Sequence, residues 1–99
     1  MATTPLTVIA RIQAKPGMEE RVKQELLKLL APTRSEQGCI NYDMHQSTTD
    51  AARFLFHENW MTEAALDRHL QTPHIQSWIA LADALLAEPI EITRWRRCA

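Results

Sequence analysis

The side chains with most chemical potential lie in one short run, HLQTPH from His69 to His74, and in the alternating segment just before it. An imidazole with an unperturbed pKa of ~6.5 accepts a proton near neutrality, a step worth roughly 10²- to 10⁴-fold in rate when the base is well placed. His69 is therefore the first candidate for a general base. His74 follows Pro73 in the first turn of a predicted helix, where the dipole disfavours imidazolium, so a neutral hydrogen-bonding role suits it. The proline between the two histidines breaks the i, i+4 pattern that presents a pair to zinc, and no metal is expected.

Glu58 alternates with Phe54, Phe56 and Trp60 on one face of a predicted strand. A carboxylate among aromatics either has a raised pKa, and can then act as acid or base, or has found a partner. Buried charges are usually paired, so a structural role is the favoured expectation. Trp60, Phe56 and Trp78 could wall a pocket for a planar ring, with core filling the expected role of Trp78. Tyr42 could offer its hydroxyl to a substrate oxygen. Asn59, Arg11 and Gln13 are polar strand residues whose roles only geometry can rank. Cys39 has no neighbour that would activate its thiol and is expected to be inert.

The elements that must hold these groups are readable from periodicity. Leu6, Val8, Ala10, Ile12 and Ala14 alternate with other residues as in a strand, which Pro16-Gly17 ends. Met18, Val22, Leu26, Leu29 and Leu30 recur at helical spacing and predict an amphipathic helix ending near Pro32. Gly38 opens a second strand, Cys39 to Gln46, joined through a turn at Ser47 to Asp50 to a third, Arg53 to Met61. Thr62 is a predicted N-cap for a short helix to about Gln71, and Pro73 starts a longer one with a buried stripe of Ile75, Trp78, Ile79, Ala82, Leu85 and Leu86. Glu88-Pro89 ends it before a final strand from Ile90.

The order βαββαβ, with its second helix broken in two, predicts an α+β, ferredoxin-like domain with a four-stranded antiparallel sheet. Both helical segments would cover one sheet face. Ile9, Leu55 and Met61 on the other side then need cover, which predicts a homodimer of sheets packed face to face.

With 99 residues, 45% hydrophobic, 23% charged and a net charge of -1, residues 1–99 are expected to form a single globular domain. The basic cluster Arg94, Arg96 and Arg97 is too local to track a phosphate backbone, so no nucleic acid is expected. No secretory pattern or membrane-spanning stretch is visible, and the cytoplasm is the expected address. Cys39 and Cys98 are expected to be reduced.

Three stretches, LTVIARIQAKPG, EQGCINY and ENWMTEAALDRHLQTPH, together resemble the antibiotic biosynthesis monooxygenase superfamily, and its quinol monooxygenase branch in particular. The resemblance runs from about Leu6 to Ile92. It implies a dimeric α+β barrel with a small pocket in each protomer between helices and sheet. It also implies oxidation of phenols, quinols or anthrones by dioxygen without metal or flavin. The matching positions are Glu36, Gly38, Cys39 and Tyr42 around the start of the second strand, Glu58 and Trp60 on the third, and His69 with His74 at the helix break. A haem-degrading branch of the same barrel is not matched: its asparagine, tryptophan and histidine fall near Ala10, His69 and Trp78. An isomerase of a phosphorylated signalling molecule shares a similar histidine run, so HLQTPH marks the superfamily more than the reaction.

The leading expectation is thus a cofactor-independent monooxygenase of a quinol or related polycyclic phenol, with dioxygen as co-substrate, His69 as base and Trp60 among the pocket walls. Two alternatives stand beside it. One is a metal-free isomerase or other acid/base enzyme using His69, His74 and Glu58 on a small oxygenated metabolite. The other is a non-catalytic dimeric barrel that binds a small aromatic ligand.

Overall fold

The computed structural model describes residues 4–99. Its elements run β1 (Leu6–Gln13), α1 (Glu19–Leu27), α2 (Leu30–Arg34), β2 (Cys39–Gln46), β3 (Arg53–Trp60), α3 (Glu63–Leu70), α4 (Pro73–Leu85) and β4 (Glu91–Arg96). The strands form one antiparallel sheet in the order β2-β3-β1-β4, the ferredoxin-like α+β arrangement expected from the sequence.

The alternation of β1 and β3 sets which face the helices cover. Val8, Ala10 and Ile12 of β1 and Phe54, Phe56, Glu58 and Trp60 of β3 are all buried on it. Against them lie Val22 and Leu26 of α1, Leu29 and Thr33 around α2, Ala65 and Leu66 of α3, and Ile75, Trp78 and Leu85 of α4. Ala10 is paired with Phe56 on one side and Ile92 on the other. A methyl group at that central position leaves space above the sheet that a larger side chain would fill.

Two helical expectations need correction. The single first helix is interrupted at Lys28 and Leu29, and Pro32 lies inside α2 instead of terminating it. Pro32 falls in that helix's first turn, where an amide hydrogen would have no intrahelical partner, so proline is tolerated. In α4, Ile79 is 45% exposed and does not belong to the buried stripe.

The opposite sheet face is mixed. Ile9 and Leu55 are half-buried there, beside a chain of side-chain hydrogen bonds from Thr7 to Asn59 (2.6 Å), Asn59 to Asn41 (2.8 Å) and Asn41 to Asp43 (3.0 Å). Met61, just past β3, is exposed. Among the described residues no helix is long and apolar enough to cross a membrane.

Candidate active site

The site is assembled by a glycine turn and a capped helix. Gly38 has φ +89°, and a Cβ there would stand 2.6 Å from the Cβ of Ala65. Glycine therefore serves both the left-handed turn into β2 and the close seating of α3 on that turn. Thr62 caps α3, its hydroxyl oxygen accepting from the Ala65 amide at 3.1 Å. One turn beyond Ala65, His69 is thereby held beside Glu36, which immediately precedes the glycine turn.

One carboxylate oxygen then serves two histidines. Glu36 Oε2 lies 2.8 Å from His69 Nδ1 and 2.8 Å from His74 Nε2. Pro73 opens α4, and the ring centroid of His74 stands 6.1 Å from that of His69. The Thr72 hydroxyl donates to the His69 carbonyl at 2.7 Å and lies 3.3 Å from His74 Nε2. His69 is buried, with its ring centroid 4.6 Å from the Trp60 ring and 5.5 Å from that of Tyr42. Burial lowers its pKa, against the opposing pull of the Glu36 hydrogen bond and charge, so the imidazole is held neutral.

Glu58 projects from the middle of the covered face and is buried. Its pKa is raised to about 7 by desolvation, the hydrogen bond from Trp60 opposes that, and the charge of Glu36 raises it further. The Trp60 indole N–H donates to Glu58 Oε1 at 2.9 Å. No cation pairs with Glu58 among the described residues, and its side-chain partner is the Trp60 indole on the same strand. Tyr42 stacks on Phe56 at 4.6 Å, and burial, followed by the nearby Glu58 charge, pushes its phenol up, so its hydroxyl stays protonated.

His69, Glu58, Tyr42 and Phe56 line one cavity under the helices, whose other walls are apolar side chains including Ala10, Ile75, Trp78 and Ile92. Its enclosed space is about 50 Å³. A cavity that accepts a benzene-sized ring is nearer ~150 Å³, so the walls hold room for a few waters in this state. Ile79 and Ile92, 45% and 44% exposed, stand at the mouth.

The remaining candidates lie elsewhere. Trp60 is fully buried behind His69 and Glu58 and supports both instead of walling the cavity. It closes β3, one residue pair beyond Glu58 and under α3, so its ring fills the core between strand and helix. Asn59 projects to the opposite sheet face, as strand parity requires, and is engaged with Thr7 and Asn41. His74 does not line the cavity and meets the site through Glu36 and Thr72. Trp78 does line the cavity, along with Ile75 and Ile79 of α4, which sequence reasoning left in the core, and Ile92 of β4. Cys39 is half-buried, and desolvation pushes its thiol up to about 11, which makes it inert as expected.

The histidines do converge despite the proline between them: ligand atoms of Glu36, His69 and His74 lie within 4.8 Å of one another. Their spacing is that of hydrogen bonds. Tetrahedral ligands at 2.0–2.2 Å from zinc stand roughly 3.4 Å apart, so each 2.8 Å contact would have to open by about half an ångström to admit the ion.

A four-stranded antiparallel sheet with helices on one face, enclosing an apolar cavity that holds a neutral imidazole and a desolvated carboxyl, defines a small ferredoxin-like protein with a candidate site under its helices. The sequence profile of the family described as antibiotic biosynthesis monooxygenase matches residues 5–81, and the chain belongs to that family. It is similar to the uncharacterized protein sll1783 of Synechocystis, with 38% identity over 92% of this chain and 62% of that protein's length. It also resembles the Escherichia coli protein named "Probable quinol monooxygenase YgiN", 31% identical over 74% of this chain and 80% of that one. The crystal structure of PA3566 from Pseudomonas aeruginosa superposes with a TM-score of 0.94 at 41% identity, covering 100% of this chain and 99% of the other.

Proposed function

We propose that this chain is a cofactor-independent monooxygenase of a quinol, with His69 as the general base. The observation that supports it best is the convergence of His69 and Glu58 on one apolar cavity, the first neutral and the second near its own midpoint at neutral pH. A substrate that supplies its own electrons needs little else: a base to ionise it, and a dry enclosure to keep the anion beside dioxygen.

In this reading His69 takes a phenolic proton, and the electron-rich ring passes electrons to dioxygen. A carbon–oxygen bond forms at a ring carbon and a proton returns to the distal oxygen. That carbon then loses its hydrogen as a proton, its electron pair forms the new carbonyl as the oxygen–oxygen bond breaks, and the distal oxygen leaves as hydroxide that takes up the proton to give water. One quinol and one O₂ give one hydroxyquinone and one water, the ring supplying all four electrons. Glu58 is the second proton carrier, and the protonated Tyr42 hydroxyl donates to the substrate oxygen.

The small cavity favours a single-ring quinol over the polycyclic phenols also expected from the sequence, with Ile79 and Ile92 swinging aside on entry. The reading includes a cytoplasmic homodimer. Half-buried Ile9 and Leu55 support sheet-to-sheet pairing, and two free thiols suit a reducing compartment. Oxygen uptake measured with the purified protein and a series of one-, two- and three-ring quinols tests the assignment. Uptake that requires the protein and falls with ring number is the expected result, and no uptake with any of them would refute it.

The same pair of proton carriers also suits a cofactor-free isomerase, and the near-neutral Glu58 favours that as the second reading. An isomerase would run unchanged under anaerobic conditions.

A further inference from the structure

We infer that Glu36 is a positioning residue that selects the tautomer of His69, fixing the proton on Nδ1 and leaving Nε2 bare as the atom that accepts the substrate proton. The inference rests on the reading of His69 as the base, and it adds a residue that neither histidine spacing nor strand pattern brings to the site.

An ionised carboxylate only accepts hydrogen bonds, so a ring nitrogen 2.8 Å from Glu36 Oε2 carries a hydrogen. His69 Nδ1 is such a nitrogen, and a neutral imidazole has only one N–H. Its Nε2 is then a lone-pair acceptor, and that nitrogen makes no hydrogen bond among the described residues. His69 lines the cavity, so the bare nitrogen is the one available to a substrate.

His74 supports the same assignment from the other side. Its Nε2 also lies 2.8 Å from Oε2, so it too donates. The Thr72 hydroxyl spends its hydrogen on the His69 carbonyl, which leaves its oxygen as a second acceptor facing His74 Nε2 at 3.3 Å. Two N–H groups on one oxygen aim the Glu36 carboxylate, and no lysine or arginine among the described residues pairs with it. When His69 takes the substrate proton, the imidazolium that forms faces that carboxylate. Orienting carboxylates of this kind are worth up to roughly 10⁴-fold in kcat where their loss reverses the tautomer.

The test is spectroscopic and needs no substrate. Protein labelled with ¹⁵N-histidine is examined at pH 8 by long-range ¹H–¹⁵N correlation, His69 being assigned by the signals lost in His69→Gln. In wild type, His69 is expected to show a protonated Nδ1 and a bare Nε2. In Glu36→Gln the amide can donate to Nδ1, and the signals are expected to move to the Nε2–H form or to a mixture. A wild-type His69 with Nε2 protonated overturns the inference, as does a variant that keeps the wild-type pattern. Should Glu36→Gln not fold, the wild-type spectrum decides alone. Turnover of a quinol by the folded variant is expected to fall at least ~10²-fold in kcat with KM within about threefold. Absence of turnover in wild type would count against the monooxygenase and leave the tautomer result standing.

Discussion

Gly38→Ala should damage this protein more than any other single methyl group added at a turn. The added Cβ would lie 2.6 Å from the Cβ of Ala65, whereas carbon atoms rest at about 3.5–4.0 Å, so α3 must retreat by roughly an ångström. Two costs add. Holding an L residue at φ +89° costs about 1–2 kcal/mol, and crowding a close contact typically costs ~1–3 kcal/mol more. The total of ~2–5 kcal/mol is a large share of the 5–15 kcal/mol that holds a typical small protein folded. Gly17 provides the internal control: its φ is +86°, yet a Cβ there meets nothing within 4 Å. Gly17→Ala should therefore show the backbone cost alone, near ~1–2 kcal/mol. Urea unfolding of both variants, followed by tryptophan fluorescence, separates the terms. Equal destabilisation of the two variants would mean that the contact between the turn and α3 does not hold His69 in place, and the account of how the site is built would fail.

Three further outcomes are expected. Glu58 has a folded pKa of about 7 against an ordinary 4.5, so the folded state binds the extra proton between those values and stability falls as pH rises through that window, by at most ~1.4 kcal/mol per unit. Glu58→Gln removes that dependence; its stability relative to wild type should improve from pH 5 to pH 8, and a pH-independent difference in chemical denaturation would contradict the assignment. His69→Ala should cost about 1–3 kcal/mol, since a buried ring vanishes and Glu36 loses a donor, contrary to the small cost a surface imidazole would carry. A melting temperature unchanged from wild type would refute this. Iodoacetamide at pH 8 should modify exposed Cys98 well before half-buried Cys39, and mass spectrometry showing equal rates would show that the turn into β2 opens freely.

Much of the fold was legible because its signals are local. Strand alternation in β1 and β3, the Thr62 cap and the proline at the start of α4 are each decided within a few residues, and all are as the sequence led one to expect. The break at Lys28 and Leu29 was not, since the apolar spacing of Leu26, Leu29 and Leu30 continues through it while the helix itself pauses. Parity sets Asn59 on the face opposite Glu58. Separating Trp60 from the cavity needs three dimensions, because it shares the Glu58 face and differs only in lying at the strand's end. The pairing of Glu36 with His69 and His74 spans 33 and 38 residues and depends on the approach of Gly38 to Ala65, for which the EQG run is the only local hint.

The most direct test of the central claim is an isotope experiment on chelator-treated, flavin-free protein given a single-ring quinol under ¹⁸O₂. One ¹⁸O atom per hydroxyquinone, the other recovered in water, with incorporation abolished in His69→Gln, is the predicted result. Product without label, or turnover that returns only when a metal ion or flavin is added, would contradict it.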